Sequence, residues 1–433
     1  MSQHSMDGDR HLTRRSFARS LAFAGATAWM SPAGKTWARS KPLPSTPSNP
    51  DERFWETVRE QFYMPQGLGV MNAANLCPAL VPVVETQERL THDLDRDPSF
   101  PNRVKLGEGK EATRKLLAEF MGVNAEEIVL TRNTSEGNNL VSSGIDLKAG
   151  DEVILFSDNH PSNLEAWKAK SRRFGFTVRI IDQVNPHPGD AYYLETVAKQ
   201  LTERTKVLGF THLTSTVGDL MPARELCRMA REKGVLSLVD GAQSLGLIEV
   251  NLAETQPDFY TSSAHKWPCG PKEVGVLYIN KAAQSRIWPS IVSAFPGATG
   301  ISKTFESFGQ RDEPAIMAFG EALKFQTKIG RKVIEARSRE LAQALIQGLQ
   351  KIPGVQLWTS TDPKRSHSVV SFRPGNLDIP KLAAALYEKD RLAGAPRLGA
   401  DRGGLRFSPH YYNLHSEVDR ALAAVKRCVV SGV

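Results

Sequence analysis

The chain has 433 residues, 40% of them hydrophobic and 24% charged. At about 150 residues per domain that length predicts two or three domains, and the composition excludes a disordered, collagen-like or disulfide-dense chain. The formal charge of +8 contains no block of five like charges, so no nucleic-acid-binding tail is expected; the four cysteines, Cys77, Cys227, Cys269 and Cys428, form no C-x-x-C pair and indicate neither a zinc site nor a redox motif.

The N-terminus carries an export pattern. Thr13-Arg14-Arg15-Ser16-Phe17 sets two arginines ahead of a weakly apolar run from Ser20 to Met30. That run is about ten residues, and a bilayer-spanning helix needs roughly 20, so no stable membrane anchor is expected. Thr36-Trp37-Ala38 offers small residues to a signal peptidase, which places cleavage near Ala38. Residues 1–38 carry +3 of the +8. The expectation is a periplasmic protein, passed through the twin-arginine machinery and then trimmed. An ordinary basic tail is the plainer alternative.

Residues 39–50, RSKPLPSTPSNP, read as an extended linker that leads into an arm ending near residue 70. From about residue 110 the signals alternate. Helices are expected over 111–121, 138–145, 164–174, 194–201 and 225–233. Strands are expected over 127–130, 152–156, 177–181, 207–210, 236–239, 259–262 and 274–278. The repetition predicts an α/β fold with a largely parallel sheet and helices on both faces. Ligands in such sheets sit beyond the carboxyl ends of the strands. After residue 305 one long helical stretch, 314–350, precedes strands at 355–358, 368–372 and 404–408 and helices at 379–389 and 416–429. The division expected is a large domain over 71–305 and a smaller α+β domain over 306–433.

Segment 235–278 holds the chemistry. Strand 235–239 ends in Asp240, beside small Gly241 and Ala242 and then Gln243. A carboxylate buried there needs a cation or a ligand. The next strand ends in Ser263-Ala264-His265-Lys266-Trp267. A lysine in so apolar a setting is pushed toward the neutral amine, a nucleophile. A buried Asp240–Lys266 ion pair is the structural alternative. Three further loops follow strands: Arg132-Asn133-Thr134-Ser135-Glu136-Gly137, with Asn133 as a helix N-cap suited to a phosphate; Asp158-Asn159-His160; and the polar run around Ser215.

Together these motifs resemble the class V aminotransferase family of fold type I pyridoxal-phosphate enzymes, over roughly residues 70–425. That family includes cysteine desulfurases, isopenicillin N epimerase-like proteins and exported pyoverdine-tailoring enzymes. The resemblance implies a seven-stranded-type sheet in the large domain and pyridoxal 5'-phosphate bound covalently by Lys266. It assigns phosphate contacts to Thr134, Ser263 and His265, the ring nitrogen to Asp240 and the ring oxygen side to Gln243. It stacks His160 on the ring and gives the substrate carboxylate to Arg406, and Ser215 in the polar run after the third strand is expected beside the cofactor. It further implies a homodimer, with Gln310 and Arg311 donated to the partner's site. Gln310 stands where many relatives have threonine.

A desulfurase needs a nucleophilic cysteine shortly before the carboxylate arginine. None occurs between Arg373 and Arg406. The remaining reactions are transamination, epimerisation or elimination such as C–S cleavage, on an amino acid or peptide-like metabolite. Ser263-x-x-Lys266 and Ser157-Asp158-Asn159 also match motifs of penicillin-interacting serine enzymes, but in reversed order and without K-T-G. A non-catalytic vitamin-B6 carrier is a remote alternative. No H-E-x-x-H or paired-histidine motif points to a metal.

Overall fold

The structure, a computed structural model, describes residues 42–399 and 401–433. The expected export segment and its cleavage site lie outside the described residues. Seven strands form the large sheet: β1 (Ile128–Thr131), β2 (Glu152–Phe156), β3 (Thr177–Ile181), β4 (Thr205–Thr211), β5 (Leu236–Asp240), β6 (Phe259–Ser263) and β7 (Gly275–Ile279). Their spatial order is β1-β7-β6-β5-β4-β2-β3. β7 runs antiparallel to β1 and β6, and every other pairing is parallel. Six of the strands are almost wholly buried, and the edge strand β3 is mostly open. Burial on both faces suits the apolar runs at 128–130, 153–156 and 276–279, which do not alternate. Ile154, Phe156, Phe210, Val239 and Tyr260 pack on one face, and Val153, Leu155, Leu238, Phe259 and Leu277 on the other.

The helices that matter for the site are α1 (Glu52–Arg59), α2 (Val81–Arg96), α3 (Phe100–Met121), α4 (Thr134–Gly144), α5 (Pro161–Phe174), α6 (Glu313–Ile329), α7 (Arg331–Gln350) and α8 (His415–Ser431). α4 starts where the Asn133 side chain accepts from the Glu136 N–H. α5 starts at Pro161, whose missing N–H costs a first turn nothing. The single helix expected over 314–350 is two helices. Gly330, with φ +100°, stands between α6 and α7, a conformation that L side chains rarely adopt. α1 and α2 escaped the sequence reading, and α3 begins eleven residues earlier than expected.

A second sheet has four antiparallel strands, β8 (Val355–Leu357), β9 (Val370–Pro374), β10 (Ala395–Arg397) and β11 (Gly404–Phe407), in the order β10-β11-β9-β8. Val370, Phe372, Leu405 and Phe407 pack there on Leu341, Leu345 and Leu349 of α7 and on Val418 and Val425 of α8. Residues 69–70 pair with 392–393, and Ser408 follows β11 to accept from Ala74 N–H. These links bring the second sheet against the carboxyl ends of the first. Among the described residues no helix is long and apolar enough to cross a membrane.

Candidate active site

Asp240 closes β5 and is 1% exposed. Its charge is met by dipoles. Asn138 Nδ2 of α4 donates to Oδ2 at 2.9 Å, and the Ala242 N–H donates to Oδ1 at 3.1 Å. The Asn138 amide is itself oriented, because Thr261 Oγ1 donates to its Oδ1 at 2.8 Å. Asp240 and Lys266 form no ion pair among the described residues, so the structural alternative raised by their spacing is not realised.

Lys266 follows β6 on a loop clamped by its own backbone. Trp267 O accepts from Gln326 Nε2 at 2.7 Å and from His410 Nε2 at 2.8 Å. Trp267 Nε1 donates to Gln243 Oε1 at 2.7 Å, and Cys77 N donates to His265 O at 2.9 Å. The His410 ring packs edge-on against Trp267. Burial pushes the Lys266 ammonium down to about 8; Asp240 opposes that shift and Arg406 adds to it.

Lys266, Gln243, His160, Ser215 and Arg406 line one cavity of about 330 Å³, joined by Asp158 and Arg397. The Ser162 N–H donates to His160 Nδ1, so the neutral ring carries its proton on Nε2. Burial, then Lys266, hold the His160 pKa below its usual value, which keeps the ring uncharged. Gln243 Nε2 donates to Ala74 O at 2.9 Å, fixing the amide. Arg406 is 5% exposed. Its Nη1 donates to Ser215 O at 2.8 Å and its Nη2 reaches Asn72 Oδ1 at 3.5 Å, while Nε is buried without a partner. Ser215 thus enters the site through its carbonyl as well as its place on the wall.

Thr134 and Ser263 lie beside this cavity rather than on its wall. Ser263 Oγ accepts from the Thr134 N–H at 2.9 Å and meets Thr134 Oγ1 at 2.7 Å. Ser263, which closes β6, thereby meets the first turn of α4, whose dipole favours an anion. Gly275 permits this approach of helix to strand, since a Cβ there would lie 2.7 Å from Asn133 Cα. His265, next to them in sequence, is pushed down to about 4 by burial and then by Lys266 and Lys272. Gln310 and Arg311 do not reach the cavity of their own chain. Gln310 Oε1 accepts from Arg103 Nη2, and Arg311 Nη1 donates to Leu130 O.

The sequence reading missed several residues. Asn138 is one helical turn after Thr134, and a buried asparagine on a sheet-facing turn is the signal that was available. His410, Gln326, Arg397 and Arg402 had no motif to mark them. Arg402 binds Asp158 through two bonds of 2.7 Å. All four cysteines are buried and none lines the cavity. Among the described residues no cluster of His, Cys, Asp and Glu could hold a metal.

The sheet order and this donor set define the fold type I class of pyridoxal-phosphate enzyme. A solved mutant of C-DES with glycine covalently linked to its PLP cofactor superposes with a TM-score of 0.79 at 24% identity, covering 87% of this chain and 99% of that one. The chain belongs to the aminotransferase class-V family, whose pattern it matches over residues 102–420. It is similar to the isopenicillin N epimerase of Streptomyces clavuligerus, 30% identical over 72% of this chain and 82% of the relative. It is similar to the same degree to a cysteine desulfurase of Salmonella agona, 30% identical over 74% and 82%.

Proposed function

We propose that this chain is an exported enzyme that uses pyridoxal 5'-phosphate to act at the Cα of an amino acid, free or within a larger peptide-like metabolite, by transamination or epimerisation. One observation carries the reading. A lysine pushed down to about 8 shares a cavity with a buried arginine that has no carboxylate partner among the described residues.

The residues fit the cofactor. The α4 turn with Thr134, Ser263 and His265 suits its phosphate. Asp240 suits a protonated ring nitrogen, the neutral His160 suits a ring face, and Lys266 suits the aldehyde carbon. When bound, pyridoxal phosphate supplies an electron sink for charge developing at the substrate Cα. Asp240, held by Asn138 and Ala242, keeps the proton on the ring nitrogen. At neutral pH roughly a tenth of an amine with a pKa of about 8 is uncharged, so Lys266 is poised both to bind the aldehyde and to carry the Cα proton. Arg406 fixes the substrate carboxylate and thereby which Cα bond faces Lys266.

Desulfuration has no support in the cavity, because all four cysteines are buried and none lines it. The serine-enzyme alternative also lacks support. Ser263 ends a strand instead of opening a helix, and its hydroxyl is engaged by Thr134. A homodimer is part of the proposal. Phe100, Val104, Trp288, Val292 and Phe295 are all between 58% and 83% exposed, a heavy apolar load for free surface. In that dimer Gln310 and Arg311 would serve the partner's site.

Borohydride reduction followed by peptide mapping tests the cofactor link. Labelling of Lys266 is expected; labelling of no lysine, or of another, overturns it. Solvent deuterium exchange at Cα then separates the reactions. Loss of the substrate amino group marks transamination, inversion with the group retained marks epimerisation, loss of a Cβ substituent marks a lyase, and no exchange marks a carrier. Export is tested by changing Arg14 and Arg15 to lysine, which should hold the protein in the cytoplasm.

A further inference from the structure

The second sheet leaves a surplus of positive charge on one wall of the cavity. Arg397 ends β10 and stands opposite Gly404 of β11. Arg406, two residues along β11, faces the same side because side chains alternate along a strand. Diagonal neighbours of this kind are about 7–8 Å apart. Gly404 adds no side chain beside them, and none fits, since a Cβ there would lie 2.1 Å from Phe372 O. The carboxylate whose charge acts on Arg397 is Asp158, and both of its oxygens are taken by Arg402 at 2.7 Å. The Arg397 side chain has no hydrogen bond or ion pair among the described residues.

We propose that Arg397 is the specificity-determining residue that takes a second carboxylate of the substrate, so that the site selects amino acids whose side chain or attached group ends in an acid. This rests on the amino-acid reading given above. Two guanidiniums without a carboxylate between them match the two ends of such a molecule, the α-carboxylate on Arg406 and the distal one on Arg397. The electrostatics agree with the geometry. Burial, and then Arg397, push the Arg406 guanidinium down to about 10. Burial also lowers Arg397, with Asp158 opposing and Arg402 adding. A dianionic ligand relieves both.

Calorimetry with glutarate and with its monoamide tests this without turnover. The two probes have the same length and differ by one charge. Glutarate should bind the purified, cofactor-loaded protein about 10-fold or more tighter, the scale of a charge-assisted pair. Arg397→Gln should bring glutarate to the monoamide value, with monoamide binding and cofactor content unchanged. Arg397→Lys should restore part of the preference. Equal binding of the two probes by the unaltered protein overturns the proposal, as does equal weakening of both, or loss of cofactor, in Arg397→Gln. Failure of the cofactor reading shows separately, as absence of a borohydride-labelled Lys266 in a protein that still prefers glutarate.

Discussion

The two walls of the cavity manage charge in opposite ways. On the large-sheet side, Asp240 is buried and satisfied by neutral dipoles, an asparagine amide and a backbone N–H. On the second-sheet side, Arg406 is buried with only a backbone carbonyl at short range, and Arg397 has no partner among the described residues. The first wall is finished and the second is not. Burying an ion next to preoriented dipoles makes a stable fixture, whereas burying a cation short of an anion leaves free energy to be recovered on binding. The first wall therefore suits a resident group, and the second suits a molecule that comes and goes.

The sharpest break in that contrast comes at Asp240. Asp240→Asn keeps the shape and the cofactor but cannot hold a proton on the ring nitrogen. Turnover should fall about 100–1,000-fold, the cost of removing one preorganised electrostatic group. Near-normal Cα exchange in that variant would show that the first wall is only packing. Arg406→Gln probes the other side. Its effect should fall on KM, about 10–100-fold for every amino acid, with kcat changed less, because a charge-assisted pair is lost in ground and transition states alike. An equal fall in kcat would show that orienting the Cα bond outweighs holding the substrate.

These walls were not equally legible in the sequence. Asp240 ends one buried strand and Lys266 follows the next, and parallel sheets place such residues at their carboxyl edge. Period and position were enough. Asn138 sits inside a helix, where its sequence neighbours do not reveal that it faces a carboxylate 102 residues away. Arg397 was harder still, since its register opposite Gly404 and its distance from a free acid depend on strand pairing and on Arg402. The Gly330 break was readable in principle, but a single glycine in a long amphipathic pattern is often tolerated. Contacts set by pairing between distant strands leave little local trace.

Lys266 connects the two walls, and its titration gives a smaller, pH-dependent prediction. Its folded pKa is about 8, below the unfolded value of 10.5. Between those values the unfolded chain binds the extra proton, so stability rises with pH across that window. The cost of burying the ammonium is complete below about pH 8. In cofactor-free protein, Lys266→Met should raise the melting temperature by several degrees below pH 8. The gain should shrink as pH climbs toward 10.5. A pH-independent gain would mean that packing, not charge, sets the effect.

The smallest effect expected is the most specific to the unfinished wall. Arg402 adopts a left-handed backbone, φ +49°, and from there its guanidinium closes on Asp158. A non-glycine residue held in that region costs on the order of 1 kcal/mol, so the contact is retained against local strain. Its consequence is to neutralise Asp158, the acid whose charge acts on Arg397. Arg402→Gln should free Asp158 to pair with Arg397, and glutarate binding should weaken about 3- to 10-fold while monoamide binding stays level. Adding Asp158→Asn should restore glutarate binding, because the competing carboxylate is then gone. If the double variant binds as weakly as the single one, Arg402 acts through loop placement, and the charge on this wall is not held open by the Arg402–Asp158 pair.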